Sequence, residues 1–372
     1  VTASDLRFLA FYLPQFHPIP ENDEWWGKGF TEWTNVVRGS PKFSGHHQPH
    51  LPADLGYYDL RVPEVRQAQA DLAAAHGIAG FVWYHYWFNG RRLLHRPFDE
   101  VLSSGEPGFP FCLCWANENW TRVWDGRENH LLIGQRYSDD DDRAHMRWLA
   151  TAFSDPRYIR VDGRPVFLVY RSSSLPDPRR TTDRWRSEAT RLGVGEPYLI
   201  RMESSFEKVR GDPTELGFDA AAEFQPDTIT RGPQIRHNIA VRAYRKLLRP
   251  SSPFRQNWVY DYETLVRRAL ETPTVSYKRF PGVNPDWDNS ARRPESGARI
   301  TIGSTPALYE RWVRGVAESF RPYSAEENFV FVNAWNEWAE GNHLEPCHRW
   351  GRSYLDVHRR VMAEALTAQA AT

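Results

Sequence analysis

Short runs of apolar, β-forming residues recur along the chain. Between most of them lie stretches where apolar positions return every three or four residues. The strand-like runs are Leu6–Leu13, Ile78–Trp87, Phe111–Ala116, Pro165–Tyr170, Tyr198–Met202, Phe218–Phe224, Thr274–Phe280 and Phe329–Trp335. Runs this short, rich in Val, Ile, Phe and Tyr, read as buried strands. Helical patterns cover Val62–His76, Phe98–Leu102, Asp139–Phe153, Thr181–Leu192, Asp261–Glu271, Pro306–Phe320 and about Tyr354–Ala370. The first is punctuated by Pro63 at its start and Gly77 after its end, as helix termini prefer. The run Asp139–Asp142 suits a helix start, where carboxylates meet the positive end of the dipole. Only short pieces near Glu207 and Thr214 fill the link between the Tyr198 and Phe218 strands. Eight strands alternating with helices predict an α/β fold, a (β/α)8 TIM barrel, here as a single domain over residues 1–372. A doubly wound open sheet is the alternative. It is weakened because no G-x-G-x-x-G or P-loop follows a strand.

Two stretches depart from this rhythm. The connection from Pro14 to about Asp59 is long and Trp-rich, with Trp25, Trp26 and Trp33. Loops of that length inside a compact domain are usually functional, and Glu32-Trp33 and His46-His47 favour that reading. The second, at about 225–260, carries Arg231, Arg236, Arg242, Arg245, Lys246, Arg249 and Arg255 with little acid. Charge blocks are usually solvated surface, so an exposed excursion between the sixth and seventh strands is expected. A lid or a basic wall for an anionic substrate is the functional alternative.

Composition narrows the class. Hydrophobic residues make up 41% and charged residues 25% of 372, ample for a core. The formal net charge of +0 implies neither nucleic acid nor an anionic membrane as a partner. Aromatic content reaches 14%, with 16 Trp, many in polar surroundings, as expected of platforms that stack on sugar rings. No apolar run is long enough to span a bilayer. The N-terminus of this chain lacks a basic-then-apolar signal, which favours a soluble, cytoplasmic location and leaves the compartment open. Cys112 and Cys114 share one face of a strand, a geometry poor for a mutual disulfide. With Cys347 they are expected as buried thiols, and no metal or organic cofactor is indicated. The oligomeric state is left open.

Chemistry gathers at the ends of the strands, where enzymes of this barrel type carry their sites. The last strand turns polar at Asn336 and delivers Glu337 and Glu340 on a loop, flanked by Trp335 and Trp338. An E-x-x-E alone is commonplace on surfaces. Two carboxylates at the end of a buried strand, among aromatics, point to glycoside chemistry, where one acid protonates a leaving oxygen and the other serves the opposite side. The other strand ends add Tyr12, Gln15 and His17; Trp83, His85, Trp87 and Asn89; Asn117, Glu118 and Trp120; Glu223; and Asp286, Trp287 and Asp288. A single His or Trp in a barrel is more often packing. So many at one rim, with no comparable set at the other, makes a site. The candidate substrate-binding set is Tyr12, His17, Trp33, His85, Trp87, Asn117, Glu118, Trp120, Glu223, Asp286, Trp287, Asp288 and Asn336, around Glu337 and Glu340.

These residues carry a resemblance. The blocks AFYLPQFHPIPENDEWWGKGFTEWTNV, GIAGFVWYHYWFNGR, CWANENWTRVWDG, DGRPVFLVYR, PGVNPDWDN and NAWNEWAEGNHLEP make nearly the whole chain resemble the WbsX-type proteins. Those are similar to glycoside hydrolase family 99, the endo-α-mannosidases and endo-α-mannanases. In that family an N-E-W-x-E-G segment after the eighth strand supplies both catalytic carboxylates, and Asn336 to Gly341 matches it position for position. The Trp-rich connection and the WANENW block are WbsX-like and not typical of the mannosidases, so substrate identity does not carry over.

The resemblance implies a retaining route through a 1,2-anhydro sugar. Glu337 would remove the 2-hydroxyl proton and Glu340 would protonate the leaving oxygen. The 2-hydroxyl must then lie trans to the leaving group, as in α-mannosides and α-rhamnosides. One rival keeps Glu337 as a conventional nucleophile with Glu118 as the acid/base, since retaining barrels commonly pair carboxylates from two strand ends. Another is a glycosyltransferase of surface-polysaccharide (O-antigen) assembly, a label WbsX-type proteins often carry, which would usually show a D-x-D or a phosphate-cradling turn. A non-catalytic sugar binder ranks last. The expected partner is an oligosaccharide or polysaccharide.

Overall fold

The computed structural model describes residues 6–122, 127–209, 211–235, 256–293 and 295–370. Its main sheet is built from β1 (Arg7–Tyr12), β2 (Ile78–Phe88), β3 (Phe111–Trp115), β4 (Arg164–Val169), β5 (Tyr198–Glu203), β6 (Ala220–Glu223), β7 (Arg279–Phe280), β8 (Gly282–Val283) and β9 (Phe329–Val332). The strands are parallel, in the order β7-β6-β5-β4-β3-β2-β1-β9-β8. The two ends of that order are the two sides of Pro281. On one side β7 pairs with β6, on the other β8 pairs with β9, and Phe331 N donates to Pro281 O at 2.9 Å between them. The nine pieces therefore make a nearly closed barrel in which β7 and β8 share the seventh position. A proline has no N–H for a ladder, which accounts for the split.

Around the sheet lie α1 (Pro20–Trp26), α2 (Glu32–Arg38), α3 (Pro63–Ala75), α4 (Arg96–Ser104), α5 (Asp139–Phe153), α6 (Pro178–Arg191), α7 (Tyr262–Leu270), α8 (Pro306–Ser319) and α9 (Ser353–Ala370). Local chemistry sets several starts. Ser138 caps α5 by accepting from Asp141 N, and Asp261 caps α7 by accepting from Thr264 N, each cap worth about 1 kcal/mol. Strands β1, β3, β4 and β9 are buried along almost their whole length, as parallel strands covered on both faces must be. One contiguous apolar cluster joins them to the helices.

The expected strands and helices are found, with adjustments. The run Thr274–Phe280 is strand only at Arg279–Phe280, and the last strand stops at Val332. Between β5 and β6 the described residues hold a 3-10 turn, Pro213–Leu216. The Trp-rich connection contains α1 and α2. Of the basic excursion, residues 236–255 lie outside the described residues, among them Arg236, Arg242, Arg245, Lys246, Arg249 and Arg255. Arg231 is described, and it is buried. Cys112, Cys114 and Cys347 are free, buried thiols. Among the described residues no helix is long and apolar enough to cross a membrane.

Candidate active site

Beyond β9 the chain makes a tight excursion. Asn336–Glu337 pairs antiparallel with Asn342–His343, and a 3-10 turn, Trp338–Glu340, closes at Gly341 with φ +60°. That backbone favours glycine. A Cβ at Gly341 would also meet Asp288 Cβ at 3.1 Å and His50 Cε1 at 3.3 Å. Asn336 ties the turn to the end of β1: its Oδ1 accepts from Leu13 N at 2.7 Å and its Nδ2 donates to Leu13 O at 3.1 Å. Trp338 is held by His343 stacked at 3.7 Å and by its indole N–H, which donates to Glu345 at 2.6 Å. The two glutamates are thus mounted on a braced turn.

Both converge on one guanidinium. Arg292 Nη2 lies 2.9 Å from Glu337 Oε2 and Nη1 lies 2.7 Å from Glu340 Oε1. Its Nε lies 2.6 Å from Glu32 Oε1, in α2, and Glu32 is fully buried. Three carboxylates around one cation leave a surplus of negative charge, so the cluster retains protons. Burial pushes Glu337 up to about 8 against the pull of Arg292, and Glu340 and Glu32 add to the rise. Burial likewise raises Glu340, with Arg292 opposing and Glu32 adding. Carboxyls this close titrate as one unit.

The glutamates open into a cleft of about 660 Å³ whose wall includes Tyr84, Tyr86, Glu118, Trp120, Tyr170 and Trp287, a size usual for ligand sites. Desolvation raises Glu118, its ion pair with Arg171 opposes, and the charge of Glu340 adds to the rise. Burial, then the nearby Glu337 charge, raises Tyr84 and Tyr86, so both stay neutral phenols able to donate.

Of the residues singled out in the sequence, the cleft brings together Glu337, Glu340, Glu118, Trp120 and Trp287. Gln15 and Trp26 line it too, and the other candidates lie elsewhere. Tyr12 faces α3 and donates to Gln69 at 2.6 Å. His85 stacks on Trp148 at 4.5 Å beside His145, and Trp87 donates to Asp141 at 2.9 Å, both against α5. The cause is strand parity: side chains alternate between faces. In β2 the cleft therefore takes Tyr84 and Tyr86, while Trp83, His85 and Trp87 face the helices. His17 is buried, and that burial lowers its pKa to about 4. Trp33 donates to Tyr58 O and packs on Trp338. Asn117 clamps the backbone of Arg171, accepting from its N and donating to its O, each at 2.8 Å. Glu223 accepts from Gly282 N at 3.2 Å and lies 3.3 Å from Arg279 Nε, bridging the split seventh strand. Asp286 and Asp288 line a separate cavity of about 140 Å³ with His47, His50, His343 and Arg349. There Asp288 accepts from His46 and Gln48, each at 2.6 Å. Among the described residues no cluster of three or more His, Cys, Asp or Glu is arranged to hold a metal.

Sequence reasoning missed Arg292, Arg171, the tyrosines of β2 and Tyr170, just after β4. The run of β2 is apolar and buried on both faces, so nothing in it marks Tyr84 and Tyr86 as the cleft face. Arg292 follows a 3-10 turn in an Arg-Arg pair, a pattern that reads as surface.

A barrel with acidic residues gathered at one mouth defines the class, and comparison with solved structures agrees on the fold. A glycoside hydrolase-like protein superposes with a TM-score of 0.60 at 16% identity, covering 96% of this chain and 94% of the other. The glycoside hydrolase family 99 endo-alpha-mannosidase from Bacteroides thetaiotaomicron, in complex with bis-tris-propane, gives 0.57 at 13% identity, covering 98% of both. The chain belongs to the WbsX family: the profile described as Glycosyltransferase WbsX matches residues 8–358. The uncharacterized protein WxcX, from two strains of Xanthomonas campestris pv. campestris, is 46% identical over 358 residues. That match takes in 96% of this chain and 50% of WxcX, so the chain spans about half the length of these relatives.

Proposed function

We propose that residues 1–372 act as one catalytic domain, a retaining glycoside hydrolase that cleaves 1,2-trans linkages of the α-mannoside or α-rhamnoside kind in a polysaccharide. The observation that carries this reading is the Glu337–Arg292–Glu340 bridge at the base of an aromatic-lined cleft. Glu337 takes the proton of the 2-hydroxyl while that oxygen attacks C1. The C1–O bond to the leaving group breaks as Glu340 gives its proton to the departing oxygen. Water then opens the 1,2-anhydro sugar at C1, losing a proton to Glu340, and Glu337 returns its proton to O2. Two displacements at C1 give net retention. The step needs one proton on the pair and one open carboxylate, a state that burial of both groups favours near neutrality. Before substrate binds, burial holds Glu337 up to about 8. The donor 2-hydroxyl, arriving at Glu337, moves the shared proton to Glu340. Arg292 holds the two carboxylates in register, and Trp120 and Trp287 offer faces for sugar rings.

Two variants of this reading have support of their own. Glu118 lines the same cleft within electrostatic reach of Glu340, which keeps it as an alternative acid/base. The name of the family, Glycosyltransferase WbsX, favours transfer to an acceptor hydroxyl. The test is sugar release from α-mannans and rhamnans by the wild type, Glu337→Gln, Glu340→Gln and Glu118→Gln, with the anomer of the first product read by NMR. Release with retention, lost in the first two variants and kept on poor leaving groups in Glu118→Gln, is expected. Activity surviving in both Glu337→Gln and Glu340→Gln would refute the assignment, and tight nucleotide-sugar binding without release would make the protein a transferase.

A further inference from the structure

Three of the arginines lining the cleft differ in their partners. Arg171 is paired with Glu118, and Arg292 with Glu32, Glu337 and Glu340. Arg299 also lines the cleft, half-buried, and makes no ion pair among the described residues. Its guanidinium lies 5.7 Å from the Phe206 ring centre and 5.6 Å from that of Trp258. Phe206 and Trp258 are 43% and 45% exposed, and Phe206 also carries the Arg171 guanidinium at 4.7 Å. Its backbone is fixed: Arg299 N donates to Asn289 Oδ1 at 2.8 Å, and Arg299 pairs with Trp258 in a two-strand ladder.

A second cation stands behind it. Arg231 is buried, with its guanidinium 5.9 Å from the Trp287 ring centre. Its Nη2 donates to Pro226 O, and among the described residues its buried Nε has no hydrogen-bond partner and it makes no ion pair. Burial and the charge of Arg299 lower its pKa to about 10, against the weaker pull of Tyr260 and Asp227. Two guanidinium groups that repel one another, one lining the cleft and the other behind it, neither ion-paired among the described residues, are costly to maintain by packing alone. Stacking on an aromatic ring stabilises one arginine but does not call for a second like charge beside it. An oxyanion placed on Arg299 would relieve both.

We infer that the substrate is an acidic glycan, and that a carboxylate or phosphate on one of its sugars binds Arg299, backed by Arg231, beside the Phe206–Trp258 platform. This rests on the glycan reading given above and names the class within it. Arginine suits the task because its planar fork matches such oxyanions. The subsite is tied through Asn289 to the turn that carries Arg292, so a bound anion would fix the sugar chain relative to the two glutamates.

The test is affinity electrophoresis of the Glu340→Gln protein, which cannot turn over its ligand, in gels of four polymers. These are a glucuronate-bearing α-mannan, the same polymer after carboxyl reduction, a phosphomannan and a neutral α-mannan. The expected result is binding about tenfold or more tighter to an anionic polymer than to the reduced or neutral one, as a charge-assisted contact supplies. Which anionic polymer is held tells carboxylate from phosphate. Adding Arg299→Gln should abolish the preference while leaving affinity for the neutral polymer unchanged, which also shows that the variant is folded. Arg299→Glu should reverse the preference, and Arg179→Gln, on an exposed helix surface, should keep it. Equal binding of all four polymers, or a preference that survives Arg299→Gln, would overturn the anionic subsite alone. No binding to any polymer would overturn the glycan reading with it.

Discussion

Glu32 sits fully buried in α2, away from the cleft, yet shares Arg292 with both proposed catalytic carboxylates. Its charge raises both Glu337 and Glu340. Glu32→Gln keeps an acceptor for Arg292 Nε and removes the charge. Carboxylate oxygens on one guanidinium lie roughly 5 Å apart, an interaction of about 3 kcal/mol at an effective dielectric near 20, or roughly two pKa units. Arg292 screens part of that, so a fall of about one to two units is expected in the upper midpoint of the pair, from near 8. The sign follows from removing a negative neighbour, which eases ionisation. Carbon-13 labelling of the glutamate carboxyls reads these midpoints by NMR without any substrate. The same fall should appear in the basic limb of kcat/KM against pH, which reports the free enzyme. An upper midpoint that stays within about 0.3 units of wild type would refute the shared-cation account, since a charge removed at this range must register.

Other expectations concern the scaffold of the site. Gly341→Ala places a Cβ in left-handed backbone, 3.1 Å from Asp288 Cβ, and should lower unfolding stability by about 1–2 kcal/mol and displace Glu340, measured by denaturant titration and by lost release. Asn336→Ala removes both hydrogen bonds to the Leu13 backbone inside the core and should cost about 2–3 kcal/mol, with a lower urea midpoint at unchanged slope. Burial pushes Asp286 up to about 8, so its folded state favours the proton and its contribution to stability is lost as pH rises through that value. Asp286→Asn should therefore flatten the decline of Tm between about pH 5 and 8, and a decline as steep as wild type would refute the assignment.

The barrel was legible in the sequence because parallel strands buried on both faces read as continuous apolar runs. That same feature hid much of the site. A run such as Phe81-Val82-Trp83-Tyr84-His85-Tyr86-Trp87 offers no polar alternation from which to tell the cleft face from the helix face. The reading fell on His85 and Trp87, whereas Tyr84 and Tyr86 line the cleft. The terminal loop was legible for the opposite reason. Glu337 and Glu340 stand out against a run of Phe and Val, and Gly341 marks the turn between them and the return strand. Arg292 had no such contrast. Its role comes from three carboxylates far apart in sequence, Glu32 among them, and only the closed barrel brings them to one point. Asp286 and Asp288 illustrate the converse: adjacent to Trp287 in sequence, they face a different cavity because the chain alternates there too.

The glutamate pair does not by itself decide between hydrolysis and transfer. On the mechanism proposed above, the first step is the same in either reaction, and the 1,2-anhydro sugar would wait for a hydroxyl to reach C1 with Glu340 to accept its proton. The choice lies with whatever occupies the cleft beside the pair at that moment. A cleft of about 660 Å³ walled by Trp120, Trp287 and phenols has room for a sugar next to the one under attack, and a stacked acceptor there would exclude water. The family's name and the proposed hydrolysis are thus compatible with one set of residues. What would separate them is an acceptor sugar held in the cleft, whose wall includes Trp120, set edge-on to Tyr86 at 5.1 Å.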